Sequence, residues 1–102
     1  MIHVLAIITT QPGRRAGVLE AFRANVPAVH AEDGCVQYVG VVDAPGGLTI
    51  QTPLGEDSFA VIEQWQSLDA LKAHGASAHM VAYGKRTREL LVSRVIHILT
   101  PV

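Results

Sequence analysis

The stretch that decides the fold is 59-FAVIEQW-65, followed by 66-QSLDALKAH-74 and 75-GASAH-79. Phe59 to Trp65 reads as a strand, and residues i and i+2 of a strand share a face. Phe59, Val61, Glu63 and Trp65 therefore point one way, and Ala60, Ile62 and Gln64 the other. A carboxylate among apolar neighbours is unusual, because once buried it must find a partner or shift its pKa. Ser67 is a good N-cap for a helix, and Asp69 in the first turn complements the helix dipole. Leu68 and Leu71 are expected to point inward, and Gly75 to end this short helix. Ser77 can cap another helix running to about Leu91, with Met80, Tyr83, Thr87, Leu90 and Leu91 along one side.

Upstream, 2-IHVLAIITT-10 is rich in β-branched residues and apolar on both parities. A strand apolar on both faces is covered on both faces. Pro12-Gly13 breaks it. From Arg14 to about His30, Val18, Leu19, Phe22, Val26 and Val29 form one helical stripe. Pro27 is expected to kink or shorten the last turn. Asp33-Gly34 signals a turn, and 35-CVQYVGVVD-43 reads as the second strand. Gly40 inside it suggests a bulge or a close approach to the backbone. Residues 44–57, APGGLTIQTPLGED, are a loop too long for a simple hairpin. Two readings stay open: a flap over a pocket or partner subunit, or a variable, disordered insertion. The last strand is 92-VSRVIHILT-100, stopped by Pro101.

The order β-α-β-β-α-β predicts an α+β, ferredoxin-like domain: a four-stranded antiparallel sheet with its helices on one face. The helices cover one face, yet the strands are apolar on both. A second copy packed sheet to sheet, as a two-fold homodimer, is the simplest cover for the other. A pocket can remain between helices and sheet, or between the sheets.

Composition bounds the function. The 102 residues fit one domain spanning 1–102, and 49% hydrophobic with 17% charged residues describes a globular chain. A net charge of -1 with scattered Lys and Arg leaves no electrostatic footprint for nucleic acid or an anionic membrane. The apolar start MIHVLAIITT lacks a basic n-region and a cleavage site and is too short to span a bilayer. A single cysteine, Cys35, allows no internal disulfide and suits the reducing cytoplasm, the expected location.

Several motifs recur together: PG before helix 1, then E-x-G-C-x-x-Y (Glu32, Gly34, Cys35, Tyr38). They are followed by E-x-W-x-S-x-x-A-L-x-x-H (Glu63, Trp65, Ser67, Ala70, Leu71, His74) and S-x-H (Ser77, His79). In this order and spacing the chain resembles the antibiotic biosynthesis monooxygenase domain family over nearly its whole length. The resemblance implies a dimeric α+β barrel. It also implies oxidation of a quinol or hydroxylated aromatic by O2 without metal, flavin or other cofactor. An electron-rich phenolate can reduce O2 itself, so such a protein needs to bind the ring, remove a proton and exclude water. Haem-degrading relatives use an asparagine on the first strand, where this chain has Ile and Leu; its only asparagine is Asn25 on helix 1. The alternatives are an isomerase of a small phosphorylated sugar derivative, with Arg86 and Arg88 as phosphate ligands, or a non-enzymatic ligand-binding dimer.

His74 and His79 are the acid-base candidates, since histidine titrates near neutrality and both sit by a helix break. Glu63 can orient His74, act as a base, or pair with Arg94 on the last strand. Trp65 can stack on a flat substrate or pack in the core. Tyr38 and Tyr83 can hydrogen-bond a phenolic oxygen. His3 and His97 rank below these, and nothing near Cys35 suggests an activated thiolate. A spacing of five residues turns His74 and His79 about 140° apart in one unbroken helix. With no third ligand of suitable spacing apparent, no metal is expected.

Overall fold

The computed structural model describes residues 1–102. The elements run β1 (Ile2–Thr10), α1 (Arg15–His30), β2 (Cys35–Val41), β3 (Ser58–Trp65), α2 (Leu68–Ala76), α3 (Ala78–Thr87) and β4 (Leu91–Leu99), with a 3-10 turn at Arg88–Leu90. The sheet order is β2-β3-β1-β4. Each neighbouring pair is antiparallel. This is the ferredoxin-like α+β arrangement that the element order predicts.

The alternation in β1 and β3 sets the core. Val4, Ala6 and Ile8 on β1 and Phe59, Val61 and Trp65 on β3 are buried with Val18, Phe22 and Val29 of α1. Glu63 and Trp65 share that covered face, and both are buried. The ring of Phe22 lies against the backbone of β2 at Gly40, where a Cβ would meet Phe22 Cε2 at 2.9 Å. That is the close approach its glycine suggests. Gly34, at φ +83, turns the chain into β2 where a Cβ would come within 2.7 Å of Ala70 Cβ. Both the conformation and the space therefore require glycine.

Three boundaries differ from the sequence reading. α1 is not among them: it runs through Pro27 to His30, as its periodicity predicts, and the proline does not shorten it. Pro27 and Arg23 lie on its exposed side, so the Arg23 carbonyl that loses its helical donor is left to solvent. α2 continues past Gly75, and the break comes at Ser77, whose extended backbone separates α2 from α3. The Ser77 hydroxyl donates to the His74 carbonyl at 2.7 Å and accepts from the Met80 N–H, serving both helices. α3 ends at Thr87, whose hydroxyl donates back to the Tyr83 carbonyl, and a 3-10 turn replaces the expected last helical turn. β2 ends at Val41, because Asp43 leaves the ladder and accepts from the Leu54 and Gly55 N–H groups at 2.8 and 2.9 Å.

Those two bonds close the neck of the 44–57 loop and hold the Asp43 carboxyl below the usual carboxylate range. Leu48 and Ile50 at its tip are 74% and 85% exposed, so the tip packs against little in this chain. The other sheet face carries Leu5 and Ile7 of β1, Val39 of β2, Ile62 of β3 and Val95 and Leu99 of β4, with no helix over it. His3 and His97 also lie on this face, pointing away from the helices. No helix is long and apolar enough to cross a membrane.

Candidate active site

β4 is an edge strand that the helix layer does not reach. Its helix-side residues Arg94, Ile96 and Ile98 pair with Ile8, Ala6 and Val4, and all three stay exposed. Between this strand, the centre of the sheet and the α2–α3 break lies a cavity of about 270 Å³. Its walls are mostly apolar, and Tyr38, Glu63, His74, Tyr83 and Arg94 bring the polar groups.

His74 is 5% exposed. Its Nδ1 lies 2.8 Å from Glu32 Oε2. The other ring nitrogen, Nε2, makes no hydrogen bond, and no fully buried side-chain nitrogen or oxygen lacks one. Nε2 is therefore not fully buried, and His74 is one of the residues that line the cavity. With the carboxylate accepting an Nδ1 proton, Nε2 is the ring nitrogen left to meet a ligand. The ring is fixed from behind by Trp65, with centroids 4.6 Å apart, and from the side by Tyr38, edge on at 5.4 Å.

Of the roles the sequence leaves open to Glu63, that of orienting His74 falls to Glu32 in the structure. Glu32 follows α1 directly, and its Oε2 also lies 3.0 Å from His79 Nε2. Glu32 stands inside the E-x-G-C motif, yet it reads as part of a turn, since nothing local shows that the chain returns to it 42 residues later. Glu63 instead accepts from the Trp65 indole N–H at 2.9 Å, and it makes no ion pair with Arg94. Trp65 has no exposed surface, so it backs His74 rather than facing the cavity. His79 lies behind Glu32, outside the cavity wall, with Ser77 Oγ 3.2 Å from its Nε2. The sequence offers no third metal ligand, but Glu32 supplies one: a carboxylate oxygen and two imidazole nitrogens converge within 4.8 Å of one another. The contacts of 2.8 and 3.0 Å are within the range of N–H···O hydrogen bonds.

Burial raises the Glu63 carboxyl above its ordinary value, against the lowering effect of the Trp65 N–H and of His74. It also pushes the Tyr38 and Tyr83 hydroxyls up, so at neutral pH both remain protonated donors. A carboxyl whose folded pKa is raised is a liability above that pKa and none below its unfolded value of 4.5. Glu63→Gln is therefore expected to raise Tm around pH 8, with the gain fading as pH falls toward about 4. Each kcal/mol recovered corresponds to about 4 °C or more in a domain of this size. Thermal melts of both proteins across pH check this; a gain that grows on acidification would contradict it.

A ferredoxin-like sheet with a carboxylate-held histidine at an apolar cavity defines a small α+β enzyme-like module. Residues 1–86 match the family described as antibiotic biosynthesis monooxygenase, and the chain belongs to that family. It is 39% identical over 103 aligned residues to the probable quinol monooxygenase YgiN of Escherichia coli K12, covering 99% of this chain and 98% of that one. Among solved structures it resembles PA3566 of Pseudomonas aeruginosa at TM-score 0.83 and 28% identity, covering 99% and 93% of the two chains. It also resembles Rv0793 of Mycobacterium tuberculosis at TM-score 0.81 and 25% identity, covering 99% and 94%.

Proposed function

We propose that this protein is a cofactor-independent monooxygenase that oxidises a quinol or related hydroxylated aromatic with O2. The observation that carries the reading is His74: its Nδ1 is held by Glu32, its Nε2 makes no hydrogen bond, and it lines an apolar cavity. The substrate hydroxyl gives its proton to Nε2, and the Glu32 carboxylate stabilises the imidazolium that forms. The quinolate passes one electron to O2, and the resulting superoxide and semiquinone join at a ring carbon. His74 returns the proton to this peroxide, which loses water and leaves a hydroxyquinone. The balance is quinol plus O2 to hydroxyquinone plus water. The apolar walls keep water from the peroxide, and the Tyr38 and Tyr83 hydroxyls are donors for the second ring oxygen. Membership of a monooxygenase family and the printed name of the E. coli relative support this reading.

The active form is a homodimer closed over the free sheet face, where Val39, Ile62, Val95 and Leu99 are 39%, 38%, 47% and 48% exposed. Light scattering should give twice the chain mass. The activity test is O2 uptake by metal-stripped protein on a panel of hydroquinones and naphthohydroquinones, with spontaneous autoxidation subtracted. Enzyme-dependent uptake with a hydroxyquinone product supports the proposal. Uptake no faster than autoxidation on every member would overturn it and leave isomerisation or ligand binding.

A further inference from the structure

The cavity beside His74 has a neighbour with which it shares wall residues. A second cavity of about 530 Å³ adjoins it between the end of α3 and the first half of β4. The two share Ile8, Tyr83 and Arg94. Their characters differ. The smaller is mostly apolar and falls just under the roughly 300 Å³ at which small-molecule pockets usually begin. The larger is lined by Lys85, Arg88 and Arg94 and by no acidic residue. The only ion pairs in the chain are those of Glu32 with His74 and His79, so none of these three cations has a carboxylate within 4.0 Å. A chain with a net charge of -1 does not concentrate unpaired cations at one cavity through general basicity.

Arg94 stands at the junction. It pairs in register with Ile8, which is buried and lines both spaces. Its guanidinium offers planar, bidentate donors suited to an oxyanion. His74 lines the smaller cavity only. A ligand filling both spaces thus meets a proton acceptor at one end and unpaired cations at the other.

We infer that the physiological substrate is anionic: a one- or two-ring phenol or quinol that carries a carboxylate or phosphate at the end away from the reacting hydroxyl. The ring occupies the smaller cavity with its hydroxyl at His74, and the oxyanion reaches Arg94 and Arg88 in the larger. This rests on the assignment of the His74 cavity as the substrate site, but not on the oxidation occurring there.

Calorimetric binding tests the two separately, because it needs no turnover. The probes are 6-hydroxy-2-naphthoate and 6-hydroxy-2-naphthyl phosphate, with 2-naphthol as the neutral reference. At least one anionic probe should bind about 10- to 100-fold tighter than 2-naphthol at low salt. The advantage should shrink as ionic strength rises and collapse in Arg94→Gln, while Arg94→Lys retains part of it. Which probe gains more distinguishes a carboxylate from a phosphate substrate. Equal affinities, no binding of any probe, or an advantage that survives Arg94→Gln in a variant with an unchanged Trp65 near-UV signal would overturn the inference. Charge-selective binding with no O2 uptake would sink the monooxygenase reading and keep this one. Uptake without charge selectivity would do the reverse.

Discussion

His74→Ala is expected to lower quinol-dependent O2 uptake by about 10²-fold or more, the usual worth of a positioned general base. The reason lies in the two ring nitrogens. Nδ1 is committed to Glu32 at 2.8 Å, so only Nε2 can take a proton from a ligand in the cavity. No other side chain there can do so as well. Glu63 is held by the Trp65 indole, and the Tyr38 and Tyr83 hydroxyls, raised by burial, stay protonated. Glu32→Gln should cost about 10- to 100-fold while leaving the base in place. An amide oxygen can still accept from Nδ1–H, but it does not stabilise an imidazolium as a carboxylate does. The two variants are therefore expected to differ in kind. His74→Ala loses the proton acceptor itself, whereas Glu32→Gln keeps it and loses only the carboxylate that holds its ring. His79→Ala, outside the cavity, should have the smallest effect of the three. An unchanged rate in His74→Ala, with the quinol still bound, would remove His74 from the mechanism.

The contrast between Glu32 and Glu63 shows what a one-dimensional reading can reach. That Glu63 and Trp65 share a covered face follows from the two-residue period of a strand, and the structure has both buried. That the indole donates to that carboxylate is one step further, open in principle because the two side chains are strand neighbours. The bond from Glu32 to His74 is of another sort. It joins the end of α1 to the end of α2, and only the packing of both helices on one sheet brings them within 2.8 Å. That a pocket can remain between helices and sheet follows from the layering, but the position of this cavity does not. It exists because β4 extends beyond the cover of the helix layer, a relation between layers rather than a pattern along the chain. Helix ends erred where side chains competed with the backbone: Ser77 took the break from Gly75, and the Thr87 hydroxyl engaged the Tyr83 carbonyl.

Trp65→Ala is expected to unfold the protein or bring it close to unfolding. Trp65 has no exposed surface, and truncating a buried aromatic typically costs about 3–5 kcal/mol. Domains of this size have only about 5–15 kcal/mol in all. The substitution also orphans Glu63, which is 6% exposed and would lose its one hydrogen-bond donor. Trp65→Phe separates the two losses. It keeps an aromatic ring behind His74 and removes the N–H, so it should cost about 1–3 kcal/mol, mostly from the unpartnered carboxylate. The sign of its pH dependence follows from the same bond. The indole N–H lowers the Glu63 pKa, so removing it raises that pKa further. The penalty of Trp65→Phe should therefore be full above the variant's folded pKa and be lost as pH falls through that raised range toward 4.5. Adding Glu63→Gln should restore much of the stability at neutral pH, a coupling that denaturant unfolding of the four proteins would measure. If that double variant is stable but its O2 uptake stays low, the Trp65–Glu63 pair serves the reaction by fixing His74. If uptake returns with stability, the pair serves the fold alone.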